Sequence, residues 1–175
     1  ASGFRAELIG KALDVEFVDF NGELFCDSAI FGGWERRDDE VFHPYTTAET
    51  MDAGWAWRIE HDEVVNRGYV FCSKYISDED ADTELRSKNP HVEMTKSIKF
   101  RPGVRRTPWI KNVIAVGNSA GFVEPLEATA IGMICDSAVN IVRALTSNAG
   151  HFHPVQAEAY SRIQFENWEI IRDFL

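Results

Sequence analysis

The sequence is short of most features that mark a specialised class. Its three cysteines, Cys26, Cys72 and Cys135, are far apart and odd in number, and no CxxC pair occurs. That argues against a disulfide framework or zinc site and for a reducing, cytoplasmic setting. The five histidines include His151 and His153, but no Cys or carboxylate spacing makes them ligands, so no metal is expected. No apolar stretch approaches the ~20 residues of a membrane span, and no charged-then-apolar leader is present. Positive charge is scarce: 18 Lys+Arg face 28 Asp+Glu, which speaks against nucleic acid or an anionic membrane as partner. There is no internal repeat, no low-complexity tract and no G-x-G-x-x-G, hence no recognisable dinucleotide-phosphate loop.

What is present suits a folded domain: 175 residues, 45% of them apolar, are enough for a real core. The chain starts without Met, in mid-pattern, at Ala1-Ser2-Gly3-Phe4-Arg5 and ends on Leu175 inside an amphipathic run, so both ends read as cut. Residues 4–12 suggest a short helix. Residues 13–20 and 23–31 read as strands joined by Asn21-Gly22, a hairpin signal, with Gly32-Gly33 breaking the pattern. "GWAWRIEH" alternates cleanly, placing Trp55, Trp57 and Ile59 on one face, which reads first as core. Residues 69–75 form its antiparallel partner, with Asp62, Asn66 and Gly68 turning the chain. Ser77 with Asp80 opens a helix, and residues 95–100 return to strand. Arg101, Arg105 and Arg106 lie in a basic loop that reads as solvated, with a phosphate role as the alternative.

"NVIAV" at 112–116 is an unbroken apolar run, as expected of a strand buried on both faces, and such a strand needs parallel neighbours. "GNSAGFVEPLEATAIG" follows at 117–132, and helical spacing then sets Ile131, Ile134, Ala138, Ile141, Val142 and Leu145 in one stripe. A last helix follows Pro154, with Tyr160, Ile163, Trp168, Ile171 and Phe174 as its stripe. Strand, glycine loop and helix start make a ligand-binding geometry: the helix N-terminus attracts an anion, and Gly117 and Gly121 allow close backbone approach. The plainer reading is equally open. Pro125 then stiffens a turn, Glu127 offsets the helix dipole and Gly121 is a turn residue.

Taken together, these residues resemble the flavin-dependent tryptophan halogenases. "GWAWRIE" resembles their Trp-x-Trp-x-Ile-Pro signature, and "GNSAGFVEPLEATAIG" resembles their later Glu-Pro-Leu-Glu-Ser-Thr-Gly motif; "SGFR" at 2–5 and "CDSAI" at 26–30 also fit, in order, across the chain. The resemblance implies a mixed α/β part of an FAD/NAD(P)-binding, flavin monooxygenase-like fold with an antiparallel substrate-side sheet. Residues 1–150 would form a partial FAD-binding core, and residues 151–175 would begin a C-terminal helical region. The implied chemistry is halogenation of an electron-rich aromatic small molecule, tryptophan or another indole. Reduced FAD from a separate flavin reductase gives a flavin hydroperoxide, chloride or bromide becomes hypohalous acid, and a lysine beside the substrate directs it.

The resemblance assigns halide binding to Thr129 and Ala130, a catalytic role to Glu127, and flavin contacts to Asn118 and Ile131. Trp55 and Trp57 match the pair near the flavin that keeps the organic substrate from it, and Glu124 reads as structural. Three positions depart: Glu60 replaces the signature proline, Ala128 replaces serine and Ala130 replaces glycine. The last departure matters if a positive φ is needed there. The family's dinucleotide strand and lysine lie upstream of the matched portion, and none of the six lysines present falls in that motif. This chain is therefore expected to be a fragment, inactive by itself, whose exposed strand edge favours self-association. An aromatic hydroxylase of the same fold is the rival enzyme reading. A non-enzymatic Trp-rich binding module is the third, and it requires Trp55 and Trp57 in solvent.

Overall fold

In the computed structural model, which describes residue 3 and residues 6–147 and 153–175, Asn21-Gly22 makes a turn but not a hairpin. Phe17–Asp19 forms β1 and Ser28–Glu35 forms β2, and the two pair with other strands. The turn closes locally. Asn21 N–H donates to Asp19 Oδ1 at 2.8 Å, and the Glu23 and Leu24 N–H groups both reach Phe20 O at 2.9 and 2.8 Å. Phe20 and Leu24 are buried, so core packing rather than a cross-strand ladder sets the chain's direction beyond the turn. β2 runs through Gly32-Gly33, where the pattern predicted a break. At the N-terminus Glu7–Ala12 forms a π-helical turn after Ala6, while Ser2, Phe4 and Arg5 of the first motif lie outside the described residues.

Phe25–Phe100 is one compact unit. β2 joins β3 (Thr47–Met51), β4 (Gly54–Glu60), β5 (Val64–Phe71) and β6 (Met94–Lys99) in an antiparallel sheet of order β3-β4-β5-β2-β6. The β4–β5 pairing is the one that the alternation predicts, with Trp55 opposite Val70 and Trp57 opposite Gly68. Asn66 and Gly68, expected in the turn, lie inside β5, because the reversal needs only residues 61–63. α1 (Asp78–Lys88) covers one sheet face, burying Ala81 and Leu85 against Ile30, Met51, Ala56, Tyr69 and Phe71. Each large apolar side chain so buried is worth about 1.5–3 kcal/mol. α1 starts as its sequence dictates: Ser77 Oγ accepts from Asp80 N–H at 3.1 Å and donates to the Asp80 carboxylate at 2.9 Å. Such a cap contributes about 1 kcal/mol.

Ala1–Leu24 and Arg101–Leu175 make the other unit. Its strands are β1, β7 (Gly103–Arg105), β8 (Trp109–Ile110), β9 (Val113–Ile114) and β10 (Gly121–Phe122). β7 is paired by β1 and β10, while β8 and β9 form a separate hairpin. The expected buried strand at 112–116 is thus corrected. Only Val113 and Ile114 are strand, both half-buried, and every ladder among the described residues is antiparallel. The cause is local: Lys111 takes a positive φ of 54° to reverse the chain, and beyond the hairpin Ala115 N–H turns to Pro108 O at 2.8 Å.

The basic loop braces this unit. Arg101 pairs with Asp19, Arg106 reaches Glu16 at 3.7 Å, and Arg105 Nη1 donates to Val15 O at 2.8 Å. The Arg101 and Arg105 guanidiniums both lie over the Phe17 ring, at 4.7 and 4.9 Å. Three forks so engaged support the plain reading of the cluster over a phosphate site.

α2 (Ala130–Thr146) and α3 (Pro154–Phe174) complete the unit. The core beneath them joins Phe20, Leu24, Val104, Val123, Met133 and Trp168. Between the helices the seam is polar. Asp136 Oδ2 accepts from Asn140 Nδ2 at 3.0 Å and Gln164 Nε2 at 2.9 Å, and Ser137 Oγ donates to Gln164 Oε1 at 2.9 Å. The apolar stripe predicted on α2 therefore does not face α3. Ile131, Ile134, Val142 and Leu145 are exposed, at 73%, 43%, 58% and 44%. On α3, Tyr160 and Trp168 are buried as the pattern predicts, while Ile163 and Phe174 are exposed.

Candidate active site

The segment from β9 to α2 is built by short-range bonds. Ser119 closes a one-turn 3-10 helix at Gly117–Ser119, its Oγ donating to Val116 O at 2.9 Å and accepting from Val116 N–H at 3.2 Å. Asn118 sits half-buried in that turn. Gly117 has a φ of +60°, which only glycine adopts freely. Gly121 has a different reason to be glycine: a Cβ there would stand 3.0 Å from the Trp168 indole and 3.1 Å from Gly103 O. The close approach that its sequence context suggested for a ligand is made instead by a side chain of α3.

Beyond β10 the chain turns into α2. Ala128 N–H donates to Pro125 O at 3.0 Å, and Ala128 itself holds a positive φ of 50°. Thr129 follows in helical geometry (φ −66°, ψ −16°), and its carbonyl accepts the Met133 N–H at 2.9 Å. The question raised by the glycine-to-alanine departure is answered here. Ala130 is the first residue of α2 and has no positive φ; the strained position is Ala128, where the motif has serine.

Electrostatically the start of α2 is open. The Thr129 hydroxyl makes no capping bond, and the first turn holds no acidic residue. A 17-residue helix with uncapped N–H groups and no carboxylate in its first turn is electropositive at that end. Thr129 and Ala130 are half-buried, whereas Glu127 and Ile131 are exposed. A hydroxyl, two or three backbone donors and a nearby carboxylate can hold an anion and exchange a proton. Glu124 is half-buried, and it too interacts within the protein.

Asn118, Glu127, Thr129, Ala130 and Ile131 are thus gathered by one unit, while Trp55 and Trp57 belong to the other. The two indoles are half-buried, tilted at 58° with centroids 6.1 Å apart, and they pack against Cys26, Ala29 and Val70 beside Phe100. Trp57 occupies the space above Gly68, where a Cβ would meet the ring at 2.0 Å. Neither indole stands free in solvent, which removes the feature on which the binding-module reading depended. Ile59, on the same face, is 37% exposed. Of the two histidines noted in the sequence, His153 precedes α3, its N–H donating to Gln156 Oε1 at 2.8 Å, and His151 lies outside the described residues.

A mixed α/β chain with antiparallel sheets is what the motifs predicted, and comparison with known proteins agrees on the fold. The tryptophan halogenase family model matches residues 1–175, and the chain belongs to that family. It is 33% identical over 178 residues to the tryptophan 7-halogenase KtzQ of Kutzneria sp. (strain 744), covering 99% of this chain and 33% of KtzQ. Among solved structures it is similar to the tryptophan 6-halogenase SttH of Streptomyces toxytricini, with TM-score 0.93 and 32% identity over 99% of this chain and 34% of that one. It is also similar to BrvH, a flavin-dependent halogenase from Brevundimonas sp. BAL3, with TM-score 0.90 and 34% identity over 99% and 35% of the two chains. The chain spans about one third of the length of the curated relatives that it matches.

Proposed function

We propose that this chain is part of a flavin-dependent halogenase that transfers chlorine or bromine to an electron-rich aromatic, tryptophan or another indole. The observation that carries this reading is the uncapped start of α2 in a chain of the tryptophan halogenase family. Thr129 contributes a hydroxyl and Ala130 a backbone N–H to a small anion. Glu127, exposed two residues before Thr129, accepts the proton released when the aromatic carbon takes the halogen, or polarises hypohalous acid.

The residues present also fit the edge of a flavin. Asn118 offers an amide beside the Gly117 turn, and Ile131 offers an open apolar side chain next to the polar helix start. Reduced FAD, supplied by a separate reductase, would activate dioxygen, the oxidant that turns halide into an electrophile. Trp55 and Trp57 would screen the organic substrate from that oxidant, leaving the small anion to react.

Thr129→Val, made in a protein of halogenase length carrying these residues, tests the reading. It removes the hydroxyl at similar volume, and a hydrogen bond to a charged group is worth about 1.5–3 kcal/mol. Half-saturation for chloride should therefore rise roughly tenfold to hundredfold. Unchanged halide dependence would move the site elsewhere. A hydroxylated product formed without halide would select the hydroxylase reading.

The 175 residues alone should not be a working halogenase. Two facts support that: the chain spans a third of its relatives, and it carries no G-x-G-x-x-G. The exposed stripe on α2 is a surface that further protein would cover, and in isolation it favours self-association. Titration of the purified chain with FAD, followed by fluorescence, should show weak binding, and sizing should show oligomers. Stoichiometric tight binding by a monomer with turnover would overturn this view.

A further inference from the structure

Glu60 ends β4 where the tryptophan-rich signature carries proline, and it is a buried carboxylate at the centre of a polar cluster. Its side chain is 1% exposed. It accepts from Arg36 Nη1 at 2.9 Å, Arg58 Nε at 2.8 Å and the His43 backbone N–H at 3.0 Å, and it meets His43 Nδ1 at 3.0 Å. Each donor extends the cluster. Arg36 also donates to His61 O through Nη2 at 2.6 Å and lies over the Phe42 ring at 4.8 Å. Arg58 lies over the Trp34 indole at 5.5 Å, and Trp34 Nε1 donates to Glu40 at 3.0 Å. The His43 ring meets Tyr45 edge-on at 5.6 Å.

Residues 36–46, between β2 and β3, contain no helix or strand. Their main-chain anchors are sparse: Arg36 N–H to Glu63 O at 2.8 Å and Glu40 N–H to Arg37 O at 3.0 Å. Two strap residues, Arg36 and His43, converge on the Glu60 carboxylate, while Trp34 Nε1 holds Glu40 and the His91 ring meets Arg37 Nη1 at 3.0 Å. We propose that Glu60 is an ionic latch that closes the strap of residues 36–46 onto the end of β4, the strand that carries Trp55 and Trp57. A proline at the same position would stiffen the strand end but would offer neither acceptor oxygens nor charge to Arg36, Arg58 and His43.

The chemistry favours the ionised form throughout the neutral range. Burial by itself would raise the Glu60 carboxyl, but the His43 amide, Arg36, the His43 ring and Arg58 together hold it near 2 instead of 4.5. Those are the charged or titratable groups that face it, from the strap and from β4. A depressed carboxyl stabilises the fold fully above its unfolded value and loses that contribution as pH falls through its folded one. The latch is therefore shut at neutral pH and releases between about 4.5 and about 2.

The test is hydrogen exchange read by mass spectrometry at neutral pH on a protein of halogenase length carrying these residues. Glu60→Gln keeps the shape but removes the charge, so protection over 36–46 should fall about tenfold while β5 keeps its own. His43→Ala removes one arm only and should give a smaller loss confined to the strap, which keeps the question answerable if the glutamine variant does not fold. Parental protection of 36–46 in both variants would overturn the latch. So would equal losses in strap and β5, which would make Glu60 a general core residue.

Discussion

Glu127→Gln, in a protein of halogenase length carrying these residues, should cut turnover about 100-fold or more while leaving halide affinity and thermal stability nearly unchanged. The expectation follows from where the side chain is. Glu127 precedes the left-handed Ala128 and is exposed, so no packing depends on it. Its structural contribution is the attraction of a carboxylate to the nearby helix start, worth about 0.3–1 kcal/mol. In a domain of about 150–250 residues that shifts the melting temperature by only about 2–4 °C per kcal/mol, and in a longer protein by less. A role in proton transfer or in polarising hypohalous acid is of another order, because a neutral amide can do neither in the same way. The measurement is single-turnover product formation with chloride saturating, alongside a melting curve. Full turnover in the glutamine variant would leave Glu127 as a residue of the helix start and nothing more. A fall in melting temperature as large as the fall in rate would point the same way.

Part of this arrangement was legible in the sequence because it is local. Trp55-Ala56-Trp57 alternates, so β4 and its face could be read. Ser77 and Asp80 are three residues apart, so the start of α1 could be read. Helical spacing from Ile131 onward locates α2, which starts at Ala130. What could not be read is what each element packs against. Asn21-Gly22 does reverse the chain, but β1 finds its partner at Arg105, with Phe17 opposite it. The stripe on α2 is real as a pattern, yet the helix turns Met133, Asp136 and Ser137 inward and leaves the stripe exposed. Periodicity states which face is apolar; it does not state which neighbour is available to cover it. Glu60 shows the same limit from the polar side. In the sequence it is one departure from a signature, and only the fold brings Arg36 and His43 to it across 24 and 17 residues.

Trp168→Ala should cost about 3–5 kcal/mol, the range for losing a buried indole, against a total stability of about 5–15 kcal/mol for a domain. Trp168 is 1% exposed and packs among Phe20, Leu24, Val104, Val123 and Met133, with the bare backbone of Gly121 against its ring. It packs α3 and α2 against the β7–β10 pair, and no backbone ladder ties either helix to that pair. The loss should also be uneven. The Phe25–Phe100 unit has its own core around Tyr69, Phe71 and Leu85, each 0% exposed. Hydrogen exchange should therefore accelerate across 101–147 and 153–175 while β5 and α1 keep their protection. Trp168→Phe, which restores most of the apolar volume, should recover most of the difference. Since Gly121 leads directly into the segment that ends at Thr129, the alanine variant should also blunt halide dependence in a protein of halogenase length, through misplacement rather than loss of a donor. An exchange pattern in Trp168→Ala that matched the parent over 101–147 would show that this indole, for all its burial, does not hold the halide segment in place.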